Sequence, residues 1–458
     1  MEFADESGRL DFSACFVIHV ALSGDDARRT PRARLAEAIG LAQAIDLQVR
    51  FAEIAPLAAP RPATLIGAGR VEAVRQRLDE TEPRPGLVIV DAALSPVQHR
   101  NLEKAWGAKV LDRTALILEI FGARARTAEG RLQVDLAHLT YQKSRLVRSW
   151  THLERQRGGR GFLGGPGERQ IESDRRAIEV KIRRLERRLD QVRRTRSLQR
   201  TKRKKAPHPV VALVGYTNAG KSTLFNRLSD SAVTARDQLF ATLDPTMRAV
   251  DLPSGQRIIL SDTVGFISDL PTQLVAAFRA TLEEVSEADL ILHVRDAAHA
   301  ESAAQREDVI DVLSQIGVDA DDGRPVIEVM NKIDLLEPSE RTALVAACRR
   351  APSFPTSVDH AARIAISAAT GEGIGELLSL VDAVVTEDRD SYSVTLDMAD
   401  GAPIAWLYEH GDIRQREERD GAATMSVRLS EKAAGKFRKL YPDVELKFDR
   451  PSARRLIA

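Results

Sequence analysis

Short apolar runs separated by helical patterns dominate the first quarter of the chain. Ala14–Val20, Leu47–Ile54, Gly86–Val90 and Lys109–Leu111 read as strands, and Arg32–Ile45, Val71–Glu80 and Ser95–Trp106 carry helical spacing between them. This alternation predicts an α/β unit with a largely parallel sheet over residues 1–130. The pattern then changes. Leu132, Leu136, Leu139, Leu146 and Trp150 fall at heptad positions, with Lys143 filling one of them; Ile171, Ile178, Ile182, Leu185, Leu189 and Val192 form a second series. Alternating spacings of four and three place each series on one helix face. Between them Gly158–Gly167 is too rich in glycine and proline to stay helical. Residues 131–200 are therefore expected to form a long antiparallel helical hairpin with a glycine-rich tip. Strands and helices alternate again over 201–388. The remainder, 389–458, reads as a small α+β unit: strand Ser391–Met398, helix Pro403–His410, strands Asp412–Glu418 and Ala422–Leu429 around the turn Asp420-Gly421, and helix Glu431–Leu440.

Composition narrows the class. Of 458 residues, 43% are hydrophobic and 29% charged, which suits several globular cores. No run of about 18 apolar residues suggests a membrane span, and Met1–Leu10 lacks the basic start of a secretory signal. Cys15 and Cys348 are the only cysteines, which argues against a disulfide framework or a zinc site and suits a reducing cytosol. The net charge of +1 hides an asymmetry: residues 141–205 hold 22 Lys/Arg against 7 Asp/Glu. A basic block inside an otherwise acidic chain points to a polyanion such as nucleic acid, with a solvated helical surface as the plain alternative. At the hairpin tip Phe162 is suited to stack on a base and Arg160 to meet phosphates, with Leu163 and Arg169 beside them; a simple connector is the other reading. The Gly67-Ala68-Gly69 turn before a helix suits a tight turn better than a phosphate site.

The chemistry concentrates further along. The apolar strand Val210–Val214 runs into Gly215-Tyr216-Thr217-Asn218-Ala219-Gly220-Lys221-Ser222, with Thr223 opening the helix that follows. This is the phosphate-loop pattern in its strand–loop–helix setting. Its glycines let backbone N–H groups turn toward phosphates, Lys221 is expected to reach the β- and γ-phosphates, and the Ser222 hydroxyl to ligate Mg²⁺. A second strand ends in Asp262-Thr263-Val264-Gly265: Asp262 is placed to hold Mg²⁺ through water, and the Gly265 N–H to approach a γ-phosphate. A third leads to Asn331-Lys332-Ile333-Asp334, whose carboxylate can accept from N1–H and N2–H₂ of guanine, a donor pair adenine lacks. A fourth leads to Ser367-Ala368, placed for guanine O6. Four motifs in order, each after a strand, imply binding of GTP and GDP.

The segment Phe240-Ala241-Thr242 is expected to complete the site as a switch loop, with Thr242 as the third Mg²⁺ ligand and Thr246 as the alternative. Lys221, Thr242 and Gly265 are thus the catalytic candidates. Where Ras-type enzymes place a water-orienting glutamine, this chain has Phe266, which predicts slow intrinsic hydrolysis completed by an outside partner. Asn218 either braces the loop or helps to hold a monovalent cation, K⁺, near the β/γ bridge.

The chain resembles the HflX family, on the Obg–HflX branch of the translation-factor-related GTPases. The resemblance rests on Asp91–Pro96, Val110–Thr114, Gln133–Ala137, Arg160–Glu168, Phe240–Asp244 and Asp262–Phe266, and spans residues 30–380. It implies a bacterial cytoplasmic GTPase, in part ribosome- or membrane-peripheral, that binds the large ribosomal subunit and its rRNA through the basic hairpin and N-terminal unit. It further implies splitting or rescue of stalled ribosomes under stress, with the ribosome as hydrolysis activator. A monomer without membrane insertion is expected. A stand-alone RNA-remodelling enzyme is the competing reading. Residues 390–458 gain little from the resemblance.

Overall fold

The computed structural model describes residues 10–23, 28–125, 127–156, 166–203, 208–229, 246–268, 284–318, 324–352, 361–386, 389–419 and 421–450. Three sheets organise them. The first runs β2-β1-β3-β4, all parallel, from β1 (Leu10–Leu22), β2 (Gln48–Leu57), β3 (Arg84–Asp91) and β4 (Lys109–Asp112). Its central strands β1 and β3 are largely apolar and buried because helices cover both faces, whereas the edge strand β2 carries Gln48, Arg50 and Glu53. Cys15, Val17, Leu87 and Ile89 pack toward α1 (Pro31–Gln43) and α4 (Arg113–Arg124). Phe16, Ile18, Val88 and Val90 face the other way, toward α2 (Ala68–Glu80) and α3 (Pro96–Trp106).

Local chemistry sets where the helices start. Thr30 caps α1 by accepting from the Ala33 N–H, with Pro31 at the first turn. Ser95 and Gln98 form a reciprocal capping box on α3. Asp112 caps α4 by accepting from Ala115 N–H at 2.8 Å. The sequence pattern missed α4, whose apolar residues Leu116, Ile117, Leu118, Ile120 and Phe121 are nearly unbroken. Such a run has no amphipathic period to read, because this helix is buried on most sides.

The hairpin forms from α5 (Ala128–Gln156) and α6 (Pro166–Arg203), which pack against each other. Lys143, the odd residue in the heptad pattern, pairs with Glu179 across the hairpin at 3.0 Å. Leu189 is buried, and Ile178, Ile182, Leu185 and Val192 are half-buried, as a two-helix seam requires. At the base of α5 the register differs from the expected seam: Val134 and Ala137 enter the core beside Phe121, while Leu132, Leu136 and Leu139 are only half-buried. The base of α5 answers to the α/β core rather than to its hairpin partner.

The second sheet runs β10-β9-β8-β5-β7-β6. Its strands are β5 (Val210–Gly215), β6 (Thr246–Asp251), β7 (Arg257–Asp262), β8 (Leu290–Asp296), β9 (Val326–Asn331) and β10 (Ala362–Ala365), parallel except for β6 against β7. Helices α7 (Lys221–Ser229), α8 (Ser302–Gln315), α9 (Pro338–Arg350) and α10 (Ile374–Val385) belong to this unit. One hydrophobic cluster continues from Leu41, Leu116 and Phe121 of the first unit into Val214, Tyr216, Phe266 and Val309 of the second, so the two share a core.

The third sheet, β12-β13-β11-β14, is antiparallel. It comprises β11 (Arg389–Asp397), β12 (Asp412–Arg419), β13 (Ala422–Ser430) and β14 (Leu446–Arg450). Trp406 and Leu407 of α11 (Gly401–His410) and Phe437 of α12 (Glu431–Leu440) cover one face. The strand β14 was not anticipated; Leu446-Lys447-Phe448 is too short a pattern to stand out. Both cysteines are buried and free. Among the described residues no helix is long and apolar enough to cross a membrane.

Candidate nucleotide site

The four motifs meet at the carboxyl edge of the second sheet, where parallel strands leave a ligand crevice. Strand β5 delivers Gly215 at a φ of +151°, and its neighbour demands glycine as well: a Cβ there would sit 2.2 Å from the Val294 carbonyl oxygen. Asn218 takes a left-handed conformation (φ +60°), and Gly220 follows at +92°. A Cβ on Gly220 would lie 2.2 Å from Asn331 Nδ2, so glycine is the residue that admits this crossing.

Lys221 is buried at the start of α7. Its Nζ donates to the carbonyls of Gly215 at 3.1 Å and Tyr216 at 2.8 Å, which leaves a third N–H direction. Burial depresses its pKa to about 8, against an opposing pull from Asp262. Next to it, Ser222 Oγ donates to Asp262 Oδ2 at 3.0 Å. The pair is an all-oxygen donor set, a hydroxyl beside a carboxylate, which is the donor chemistry that Mg²⁺ takes. The residues present therefore fit that ion.

Thr263 is buried and donates to the Leu213 carbonyl, pinning β7 to β5. Gly265 lies directly on the phosphate loop: a Cβ there would be 2.9 Å from Thr217 Cγ2 and 3.0 Å from both Lys221 Nζ and Thr217 Cα. Phe266 N–H donates to the Gly215 carbonyl at 3.1 Å, and Thr217 N–H donates to the Phe266 carbonyl at 2.8 Å. Val264 and Phe266 are buried in the shared core.

On the base side Asn331 is buried, with Nδ2 donating to the Ala219 carbonyl at 2.8 Å and Oδ1 accepting from Ala368 N–H at 2.9 Å. One side chain thus joins three motifs. Lys332, in a left-handed conformation, pairs with Asp296 at 2.8 Å. Asp334 is exposed on the short 3-10 turn Ile333–Leu335. Ser367 is buried; its Oγ accepts from Thr370 N–H, and the Ala368 carbonyl accepts from Arg227 Nε.

Of the expected residues, Phe240, Ala241 and Thr242 lie outside the described residues, as do Arg160, Phe162 and Leu163. The alternative Thr246 opens β6, paired with Asp262. Arg169 falls in α6, with its backbone alone described. The Gly67-Ala68-Gly69 turn caps and opens α2 after the edge strand β2, and the loop before it is held to α3 by Gln98 and Asn101.

Sequence reasoning overlooked a buried ionic group that backs the site. Tyr216 Oη donates to Glu37 Oε1 at 2.8 Å and accepts from Arg29 at 2.6 Å and from Ser268 N–H at 2.8 Å. Arg113 donates to the Ser268 carbonyl and Oγ, to Glu37 and to Asp91. Burial pushes the Tyr216 phenol up, and the neighbouring Glu37 carboxylate pushes it the same way. Asp91 is held below its usual range: burial would raise it, but the Arg113 guanidinium and the His19 hydrogen bond outweigh that. In sequence, Glu37 and Arg29 look like ordinary surface charges of a polar helix and its approach; partners up to 272 residues apart leave no local signal.

The chain is similar to known proteins along most of its length. The family model described as "GTP-binding GTPase N-terminal" matches residues 32–122, and "GTP-binding GTPase Middle Region" matches 124–203. "50S ribosome-binding GTPase" matches 210–332, and "HflX C-terminal domain" matches 356–443. The GTPase HflX of Magnetococcus marinus is 49% identical over 403 residues, 88% of this chain and 89% of that protein. The GTPase HflX of Escherichia coli is 44% identical over 373 residues, 81% of this chain and 84% of that protein. A GTP-binding protein of Sulfolobus solfataricus solved with GDP is 22% identical, with a TM-score of 0.44 over 81% of this chain and 98% of that one.

Proposed function

Because the chain belongs to the HflX family of GTPases, we propose that its GTP cycle is run by the named residues at the edge of the second sheet and serves the large ribosomal subunit. The observation that carries the site reading is the Asn331 side chain, which holds Ala219 of the phosphate loop and Ala368 of the base loop at one fixed separation. With that spacing, a nucleotide whose phosphates rest on Lys221 would present its base to Asp334 and to the Ser367-Ala368 loop. The carboxylate would accept two hydrogen bonds from guanine, and an adenine would leave it unpaired, a penalty of about 1–3 kcal/mol.

Ser222 and Asp262, with Thr242, would hold Mg²⁺, which supplies charge neutralisation between the β- and γ-phosphates. Lys221 would place its remaining N–H on the phosphates, and the Gly265 N–H would meet the γ-phosphate. Asn218 would brace the loop and offer its oxygen to K⁺. Phe266 is turned into the core and has no group with which to orient water, so this reading assigns fast turnover to an outside activator. The basic hairpin, with Arg160, Phe162, Leu163 and Arg169 at its tip, supports rRNA as that partner's surface, and the family description "50S ribosome-binding GTPase" supports the large subunit. Splitting or rescue of stalled ribosomes under stress, in the cytoplasm and as a monomer, completes the proposal.

GTP turnover measured with and without large subunits, in potassium and in sodium buffer, tests it. Stimulation by the subunit is expected, larger in potassium. Stimulation by free RNA alone, with none from the subunit, would favour an RNA-remodelling enzyme. Asp334→Asn is expected to move base preference from guanine to xanthine.

A further inference from the structure

Ser268 lies three residues past Gly265, and every polar group it has is held. Its N–H donates to Tyr216 Oη at 2.8 Å and its Oγ to Glu37 Oε2 at 2.9 Å. Its carbonyl and Oγ accept from Arg113 at 2.8 and 3.0 Å. Glu37 in turn takes hydrogen bonds on both oxygens, from Tyr216, Arg113 and Arg29. Three of these holders, Arg29, Glu37 and Arg113, come from the N-terminal unit. They stand beside the point where strand order reverses between β1 and β3, marked by Asp91 and His19 at 2.7 Å. That is where an open α/β sheet ordinarily takes its ligand. Here the guest is a residue of the nucleotide-binding unit.

We propose that Glu37 and Arg113 are positioning residues that weigh GTP against GDP, by holding the Gly265–Ser268 segment down on the phosphate loop. Gly265 is packed on Thr217 and Lys221, so a γ-phosphate entering between Lys221 and the Gly265 N–H must lift the segment. Ser268 can follow only by surrendering buried hydrogen bonds to the N-terminal unit. GTP and the clasp therefore oppose each other, and by linkage whatever displaces the clasp favours GTP. A route from the hairpin exists. On α5, Tyr141 Oη donates to Asp112 at 2.8 Å and Arg145 reaches the same carboxylate at 3.2 Å. Asp112 caps α4 and immediately precedes Arg113. A load on the hairpin is thus one residue removed from the group that grips Ser268.

The inference rests on the role proposed above for Gly265, and the experiment separates the two. Affinities for GDP and for a non-hydrolysable GTP analogue would be measured by displacement of a fluorescent nucleotide from the full chain and its variants. Ser268→Ala removes two clasp bonds with little risk to folding, and Glu37→Gln weakens the hub. Arg28→Ala is the control: it breaks the exposed Arg28–Asp311 pair between the same two units without touching Ser268. In Ser268→Ala and Glu37→Gln the ratio of analogue to GDP affinity should rise by about tenfold, within the usual range of coupling between sites, while GDP affinity and the Arg28→Ala ratio stay level. An unchanged or lowered ratio in Ser268→Ala overturns the clasp, as does an equal rise in Arg28→Ala. Gly265→Ala, run alongside, reports on the premise: if it leaves analogue binding intact, the reading of Gly265 fails first.

Discussion

Replacing Asn331 by alanine tests the geometry on which the proposed base and phosphate contacts both rest. The wild-type amide is buried and makes two hydrogen bonds, to the Ala219 carbonyl at 2.8 Å and from the Ala368 N–H at 2.9 Å. Both backbone partners sit in residues that are nearly inaccessible, at 1% and 2% exposure. Alanine strands them, and each orphaned group costs about 1–3 kcal/mol. The summed penalty is roughly 2–6 kcal/mol as an upper range, since loops relax and water enters. Part of it should fall on the fold and part on nucleotide binding, because the lost strut sets the distance between the two loops. A share of about 1–2 kcal/mol in binding corresponds to roughly a 5- to 30-fold weaker GDP affinity. Asn331→Asp distinguishes the two ends: it keeps the acceptor for Ala368 but turns an oxygen toward the Ala219 carbonyl. Denaturant unfolding and a nucleotide titration on the same samples give both shares. If the alanine variant unfolds earlier yet binds GDP as tightly as the parent, the side chain is a structural tie and does not set the spacing of the site. If neither changes, the hydrogen-bond assignment itself is wrong.

Gly220→Ala should be severe: the new methyl would fall 2.2 Å from Asn331 Nδ2 at a φ of +92°, and loss of nucleotide binding with destabilisation of about 2 kcal/mol or more is expected in a thermal melt. Nucleotide affinity should fall as pH rises past about 8, where burial, opposed by Asp262, leaves the free Lys221 ammonium ready to lose its proton. Phosphates favour the charged form, so binding above that pH takes up a proton and weakens by up to about tenfold per pH unit. Calorimetry in buffers of different ionisation heat would detect the uptake, and a flat profile from neutral pH to pH 9.5 (about one and a half units past that pKa) would refute it. Acid should destabilise the nucleotide-binding unit through His293, which burial holds down to about 3. The unfolded imidazole protonates near 6.5, so the contribution is complete above that pH and erodes as pH falls toward 3. His293→Gln should flatten the dependence of the unfolding midpoint over that interval, and an unaltered slope would assign it elsewhere.

Much of this protein was legible from its sequence. The strand–helix alternation around β1–β4 and the P-loop motif order depend on local patterns: apolar runs, glycines at forced turns and polar residues at strand ends. Gly220 illustrates why such reading works, since its φ of +92° is a demand of the loop itself, although the contact with Asn331 is visible only in the fold. Lys143 shows a partial success: it broke the heptad in sequence, and its partner Glu179 was visible only once the two helices were laid together. The base of the hairpin went differently. Val134 and Ala137, rather than the leucine series, are buried there because α4 supplies a competing core.

What tertiary structure alone decided is the traffic between units. Glu37 and Arg29 carry no mark in the sequence that separates them from solvated charges, and the Val110–Thr114 motif gives no sign that Arg113 is paired with them, yet all three are buried around Tyr216 and Ser268. The physical reason is that a charge is tolerated inside a protein only when distant partners arrive to neutralise it. A local pattern reports which residues seek burial on their own account. It is silent about charges whose burial depends on another chain segment reaching them, and in this protein those charges connect the hairpin-bearing unit to the Gly265–Ser268 segment.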